Sequence, residues 1–413
     1  MKLLYSIAIY LYGGLIKMYS LFNHKAQLFV KGRKNVFQNL EKLNLQSKSV
    51  IWIHVASLGE FEQGRPIIEQ LRKKYPNHFL LLTFFSPSGY EVRKNYDQVD
   101  YISYLPLDTH SNMKRWVELA NPELVILVKY EFWLHLIEQV SLRKVPILVV
   151  SAIFRENQIF FKPYGRFMLA YLQRITQFFV QDNQSVALLQ QHNIPQVQLS
   201  GDTRFDRVFE IAQTAKPLSF VEQFKNNRFT LVAGSTWEIC EEYLSRYIHQ
   251  NQCPIQFIIA PHEIDPQRIA EFRKKSGVKS ILYSEISNQD LSQYNLLIID
   301  AIGFLTSVYQ YADLAYVGGG FGKSGIHNVL EPACFGTPVI YGPNIDKFKE
   351  AQDLVTLQGA KIVHDYTELE SVVNQFFVNQ NEKEFFGKNA QQYVQENTGA
   401  TKLIMQYIDE VMN

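Results

Sequence analysis

The amino-acid sequence predicts an α/β protein of two doubly wound, Rossmann-like domains, with an apolar segment ahead of the first. Three observations carry this. Short apolar runs alternate with helical stretches, and the alternation pauses and restarts once. The 413 residues also suffice for two domains at roughly 100–200 residues each. Runs that are apolar throughout, spaced by helices, mark parallel strands buried on both faces.

The first element is the segment 3–22 (LLYSIAIYLYGGLIKMYSLF), apolar or aromatic apart from Lys17, two serines and Gly13-Gly14. As a helix it runs about 30 Å, the thickness of a bilayer's hydrocarbon core. No acidic residue precedes Glu41, whereas Lys2, Lys17, Lys25, Lys31, Arg33 and Lys34 are all basic. Such a cluster is drawn to anionic lipid on the cytoplasmic side. The segment reads as a membrane anchor over 1–25, either spanning or lying in the interface; the bland alternative is a helix packed on the protein itself.

The first alternating series occupies 26–208. Its strands are SVIWIHV, HFLLLTFF, YISYLPL, PELVILV, VPILVVS and QFFVQ. A linker is expected over 209–226, around TAKPLSF. The second series, 227–413, has strands FTLVAGS, IQFIIAP, KSILYS, NLLIID, ADLAYVG, TPVIYGP and AKIVH, then two helical stretches from EFFGKNAQQYVQEN onward. Two such domains facing a cleft bind ligands at the carboxyl ends of their strands.

Composition excludes several classes. Lys+Arg 41 against Asp+Glu 40 gives a net charge of +1, with no chain-wide case for nucleic acid. Cys240, Cys253 and Cys334 form no CxxC and indicate neither a disulfide framework nor zinc. No HExxH or DxD pattern calls for a metal. His54 and His135 sit among apolar residues and read as satisfied core or interface histidines.

The chemistry is expected in the strand-end loops. After SVIWIHV comes Ser57-Leu58-Gly59-Glu60, a small-residue turn into a helix. Glu60 can take a proton from a hydroxyl there, or merely offset the helix dipole with Glu62. After PELVILV comes Lys129-Tyr130-Glu131-Phe132-Trp133, a second carboxylate among aromatics. The stretch VGGGFGKSGIHNVLEPACFG is a glycine-rich loop running into a helix, able to hold a phosphate, with Glu331 a turn further on for ribose hydroxyls. Gly320 to Gly325 formally fits the dinucleotide fingerprint but lies far from the domain's first strand, and Val317 occupies a position where a P-loop needs glycine. Both are rejected. Three more loops end strands of the second domain: Gly234-Ser235-Thr236, Pro261-His262-Glu263 and Asp300-Ala301-Ile302-Gly303.

Together these motifs resemble the 3-deoxy-D-manno-octulosonic acid (Kdo) transferases of lipopolysaccharide synthesis. The likeness runs through Ser57-Leu58-Gly59-Glu60, Glu131-Phe132-Trp133, Gly201 to Asp206, Ala233-Gly234-Ser235-Thr236 and His327-Asn328-Val329-Leu330-Glu331-Pro332. It implies a GT-B fold with an N-terminal membrane anchor at the cytoplasmic face of the inner membrane. It also implies an inverting transfer from CMP-Kdo to a lipid A precursor, with no cofactor and no metal. By the same resemblance Glu60 is the base and Glu131 a second catalytic acid. Ser235, Thr236, Pro261, His262, Ile302, Gly303, Gly319, Gly320, Asn328 and Glu331 bind the donor. Ser57, Gly59 and Arg65 bind the acceptor, whose phosphates Lys31, Arg33 and Lys34 also meet. The chain departs from the family pattern at Lys129, where a further acid is usual, at Pro261-His262-Glu263, at Phe304 and at Ile153. Another GT-B transferase using a UDP-sugar, or a non-catalytic sugar-nucleotide sensor, is the rival reading.

Overall fold

The structure, a computed structural model, describes residues 1–322 and 325–412. It divides into two compact units, Met1–Asp206 with Thr398–Asn413, and Arg207–Asn397.

In the first unit the strands are β1 (Val50–Val55), β2 (Phe79–Phe84), β3 (Tyr101–Tyr104), β4 (Pro122–Val128), β5 (Ile147–Ala152), β6 (Gln177–Val180) and β7 (Val197–Leu199). They form one parallel sheet in the order β3-β2-β1-β4-β5-β6-β7. β1, β4 and β5 are buried almost end to end, as their unbroken apolar runs require. The edge strand β7 escapes the apolar pattern because Val197–Leu199 is half-exposed to exposed. Chain order reverses between β1 and β4, so the loops after these two strands diverge and leave a crevice at their carboxyl ends.

The second unit repeats the plan with β8 (Phe229–Thr236), β9 (Ile255–Pro261), β10 (Ser280–Leu282), β11 (Leu296–Ile298), β12 (Leu314–Val317), β13 (Val339–Tyr341) and β14 (Ala360–Ile362). Their order is β10-β11-β9-β8-β12-β13-β14, again all parallel. Here the reversal falls between β8 and β12.

Three boundaries differ from the sequence reading. Residues 209–226 are not a free linker: they belong to helices Thr203–Thr214 and Ser219–Lys225, and Val221 and Phe224 are buried with Val232 and Ile258. The closing helix, Ala400–Met412, belongs to the first unit rather than to 227–413. Its Ile404, Met405 and Ile408 pack with Ile51, Ile67 and Leu71, and Asp206 accepts from the Gly399 and Thr401 amides at 2.5 and 2.6 Å to fix its start. Amphipathic spacing shows that a helix has an apolar face, not which core receives it.

The third correction concerns the anchor. Among the described residues no helix is long and apolar enough to cross a membrane, so the spanning reading is withdrawn. Helix Lys2–Tyr19 carries Lys17, Ser6 and Gly13-Gly14, which dilute its apolar content. One side is bonded to the first unit: Tyr5 Oη donates to Asp108 at 2.6 Å, Lys2 Nζ reaches Glu138 at 2.6 Å, and Ser6 Oγ lies 2.9 Å from His135 Nε2. The other side leaves Leu3, Leu4, Leu11, Leu15 and Met18 exposed.

Candidate active site

The first unit's reversal point brings the two predicted acids together. Ser57 caps helix Leu58–Lys74, and Glu60 closes a capping box with it. Glu60 Oε2 accepts from the Ala56 and Ser57 amides at 2.7 and 2.9 Å. The dipole-compensating reading is therefore correct as far as it goes, since these bonds satisfy amides the helix leaves unpaired. More follows from the surroundings. Burial raises the Glu60 pKa above its ordinary value and the charge of Glu131 adds to the rise, while Lys129 and the two amides oppose it. A carboxyl held in this way is a stronger proton acceptor than a free surface glutamate. Glu62 is occupied elsewhere, paired with Arg93 at 2.7 Å.

Glu131 is buried after β4. Its Oε2 accepts from Trp133 Nε1 at 2.7 Å and lies 3.1 Å from His54 Nε2. His54 is fully enclosed on β1, and its Nδ1 is 2.8 Å from Thr83 Oγ1, which also accepts from Trp52 Nε1 at 2.8 Å. The sequence reading of a satisfied core histidine holds, but one of its partners is an acid 77 residues away in the chain. Adjacent parallel strands make that pairing, because His54 stands beside Leu127 of β4 and Thr83 of β2.

Of the proposed acceptor residues, Gly59, Lys31 and Lys34 are exposed and Ser57 is half-buried. Arg65 is engaged with Glu69 at 2.8 Å and Glu62 at 3.7 Å. Arg33 is corrected from phosphate ligand to structural cation. Its guanidinium donates to the carbonyls of Leu105, Phe29 and Phe85 at 2.8, 3.0 and 2.6 Å and sits 3.5 Å over the Phe29 ring. Burial pulls its pKa down to about 9.

The second unit's reversal point is built mainly from backbone and rings. Gly318 follows β12 so closely against β8 that a Cβ there would stand 2.0 Å from the Ser235 carbonyl oxygen, and one on Gly320 would stand 2.7 Å from the Gly342 amide. Part of the glycine cluster therefore answers to packing between neighbouring loops. Gly319, at φ +94°, lines a cavity of about 330 Å3 together with Trp237, Ile239, Arg268, Phe321 and Gly322. Lys323 and Ser324 lie outside the described residues. Asn328 Nδ2 donates to Glu331 Oε1 at 3.0 Å, and Thr306 Oγ1, just beyond the β11 loop, donates to Glu331 Oε2 at 2.9 Å. Ser235 takes a left-handed φ of +54° at the end of β8. Thr236 is corrected: it is fully buried and its hydroxyl donates to Glu241 at 2.9 Å, so it supports the loop from behind. Pro261 is half-buried, His262 and Gly303 are exposed, and Ile302 is 91% exposed.

Sequence reasoning missed Trp237. Its ring stacks on His262 with centroids 4.6 Å apart, and His262 stacks on His327 at 4.3 Å. Trp237 Nε1 donates to His327 Nε2 at 2.9 Å. Burial, with His262 adding to it, lowers the His327 pKa to about 4. The ring is thus neutral near pH 7 and its single proton is on Nδ1. A tryptophan just past a strand end was the signal available in the sequence.

Among the described residues, His110, His135 and Glu138 are the one group of histidines and acids able to hold a metal. They lie under helix Lys2–Tyr19, where Lys2 is paired with Glu138, and His135 and Glu138 belong to the helix Leu134–Leu142 that follows the Glu131 loop.

Residues 31–207 match the family model described as 3-Deoxy-D-manno-octulosonic-acid transferase (kdotransferase). The chain is 30% identical over 354 residues to the 3-deoxy-D-manno-octulosonic acid transferase of Aquifex aeolicus, covering 82% of this chain and 91% of that one. It is 28% identical over 372 residues to the Haemophilus influenzae enzyme of the same name, covering 86% and 85%. Solved structures similar in fold include Neisseria meningitidis UDP-GlcNAc 2-epimerase (TM-score 0.61, 14% identity, 88% of this chain and 100% of that one). Acinetobacter baumannii MurG is another (TM-score 0.56, 14% identity, 88% and 99%). Two parallel-sheet α/β units of the GT-B kind, and a sequence in register with these relatives over most of its length, lead to one conclusion: the chain belongs to the Kdo transferase family, the glycosyltransferases that transfer Kdo in lipopolysaccharide biosynthesis.

Proposed function

We propose that the enzyme moves Kdo from CMP-Kdo to a lipid A precursor by inverting displacement, with Glu60 as the general base. The observation that carries this is the pairing of Glu60 and Glu131 at the first unit's reversal point, with the Glu60 pKa raised by burial and by its neighbour. A hydroxyl of the acceptor sugar attacks the anomeric carbon of Kdo, the bond to the CMP phosphate breaks, and Glu60 takes the hydroxyl proton as the new bond forms. Glu131, fixed by His54 and Trp133, holds the electrostatic setting of that base. The first unit binds the acceptor through Ser57, Gly59 and Arg65, and exposed Lys31 and Lys34 meet its phosphates.

The second unit takes the donor. Ser235, Pro261, His262, Gly303, Gly319, Gly320, Asn328 and Glu331 surround it, with Thr236 supporting from behind, and exposed Ile302 covers the nucleotide. Backbone amides of the glycine loop and the Nδ1–H of His327 stabilise the departing phosphate, so the catalytic step needs no metal. Helix Lys2–Tyr19 lies in the cytoplasmic face of the inner membrane, its exposed leucines in the acyl boundary and the surrounding lysines on anionic headgroups.

The test is incubation with CMP-Kdo and a tetra-acylated lipid A precursor in the presence of EDTA, reading product mass and CMP release. A product one or more Kdo units heavier, formed undiminished in EDTA, supports the reading. Transfer from a UDP-sugar but not from CMP-Kdo refutes the donor assignment, and dependence on added metal refutes the metal-free step.

A further inference from the structure

A cavity of about 360 Å3 opens between helix Lys2–Tyr19 and helix His24–Gly32. Tyr12, Ile16 and Tyr19, spaced to share one face of the first helix, form one wall, and Ala26, Phe29 and Phe85 form the other. The floor is aromatic: Tyr12 stacks on Phe85 with centroids 6.3 Å apart, and Phe29 meets Phe85 edge-on at 5.3 Å. Besides the phenol hydroxyls of Tyr12 and Tyr19, the polar side chains are Asn23, Lys25 and Ser86, and Lys25 is exposed. An apolar trough with a cationic rim suits an aliphatic chain attached to an anionic headgroup.

Its position selects which lipid. The Phe85 and Ser86 amides donate to the carbonyls of Val55 and Ala56 at 3.1 and 2.7 Å, and Ala56 also donates to Glu60. On the other side, the Phe85 ring lies 4.6 Å from that of Trp133, whose indole holds Glu131. The trough floor is therefore bonded to the turn bearing the base and stacked on the partner of the second acid. We propose that this trough binds one acyl chain of the acceptor lipid and so orients its sugar hydroxyl toward Glu60. The inference rests on the acceptor being acylated, as proposed above. It is separate from membrane attachment, because Leu4, Leu11 and Leu15 project from the exposed side of the helix.

The test uses the full chain in mixed micelles with two acceptors, a tetra-acylated lipid A precursor and its fully deacylated, water-soluble disaccharide. Ile16→Trp fills the trough, Tyr19→Trp narrows its outer end, and Leu11→Ser is the control on the exposed side. The trough variants should raise KM for the acylated acceptor about tenfold, with rates on the deacylated acceptor, KM for CMP-Kdo and flotation with anionic vesicles unchanged. Leu11→Ser should reduce flotation and leave the acylated-to-deacylated preference intact. Equal loss on both acceptors, no loss on either, or reduced flotation with unchanged kinetics overturns the trough assignment alone. The last of these would assign the trough to bulk bilayer lipid. Wild-type enzyme that transfers Kdo to neither acceptor overturns the functional reading and the trough with it.

Discussion

The two units share one topology and put opposite chemistry at the same place in it. At the β1/β4 reversal stand Glu60, bonded to backbone amides, Glu131, bonded to buried His54, and the charge of Lys129, which acts on Glu60 through space. At the β8/β12 reversal stand glycine backbone and a stack of Trp237, His262 and His327, the last held neutral. The sheet supplies only the crevice, and the strand-end residues decide what it does. A crevice built around two carboxylates suits proton transfer, whereas one built mainly of glycine backbone and rings suits a nucleotide. Substitutions in the first should therefore act on turnover and its pH dependence, and those in the second on donor affinity.

The sharpest break is Glu60→Gln. Loss of a general base is typically worth about 10²–10⁴-fold, roughly 3–5 kcal/mol of barrier, and kcat should fall by that factor with CMP binding near normal by calorimetry. The amide oxygen can still accept from the Ala56 and Ser57 amides, so the cap should persist and Tm move little. Glu62→Gln should change kcat less than about twofold, since Glu62 is paired with Arg93 rather than with the Glu60 turn. If Glu60→Gln keeps more than about a tenth of wild-type kcat with chemistry rate-limiting, the base lies elsewhere and the comparison fails.

Next come Asn328→Ala and Glu331→Ala, which break the hydrogen-bonded group joining the glycine-loop helix to Thr306. KM for CMP-Kdo should rise about tenfold, equivalent to roughly 1.4 kcal/mol, with the acid limb of the pH–rate profile unmoved. A shifted acid limb would mean that the second crevice also takes part in proton transfer. Trp237→Phe keeps the stack but removes the donor to His327 Nε2, freeing the imidazole to change tautomer. A few-fold rise in donor KM is expected. In stability terms, His327 has a lowered folded pKa, so the unfolded chain binds more protons between about pH 4 and 6.5. Its contribution is full above that window and is lost as pH falls through it. His327→Gln should flatten that part of the Tm-against-pH curve.

The smallest effect is also the most specific. Glu131 raises and Lys129 lowers the Glu60 pKa. Glu131→Gln should move the acid limb of kcat/KM to lower pH, and Lys129→Ala should move it to higher pH. Shifts in the same direction, or none, would detach Glu131 from the base.

Much of this was legible in the chain. The unbroken apolar runs located thirteen of the fourteen strands among the described residues, and the loops at their ends located Glu60 in a small-residue turn, Glu131 among aromatics, and the glycine loop. What escaped is physically of one kind: partnerships between segments distant in sequence. His54 reads as core, and only strand adjacency discloses Glu131 beside it. Arg33 reads as a surface cation until three carbonyls from two other loops and its own helix surround it. Thr236 reads as a loop residue, but β8 extends through it and buries it. The N-terminal helix has enough apolar residues to suggest a span, yet Tyr5, Ser6 and Lys2 bind it sideways to the first unit.

The closing helix bears on how the molecule is made. Tyr75 Oη donates to Asp409 at 2.6 Å, and Tyr407 meets Phe179 edge-on at 5.5 Å, so Ala400–Met412 covers the helix whose first turn carries Glu60. During synthesis that cover arrives only after all of Arg207–Asn397 has emerged, a wait on the order of 10 s or more at about 5–20 residues per second. Until then Ile67, Ile68 and Leu71 lack part of their packing, and the nascent first unit presents an apolar groove to chaperones and to other chains. The unit made first is thus completed last, and a ribosome stalled within the second unit releases a protein whose Glu60 turn rests on an unfinished core.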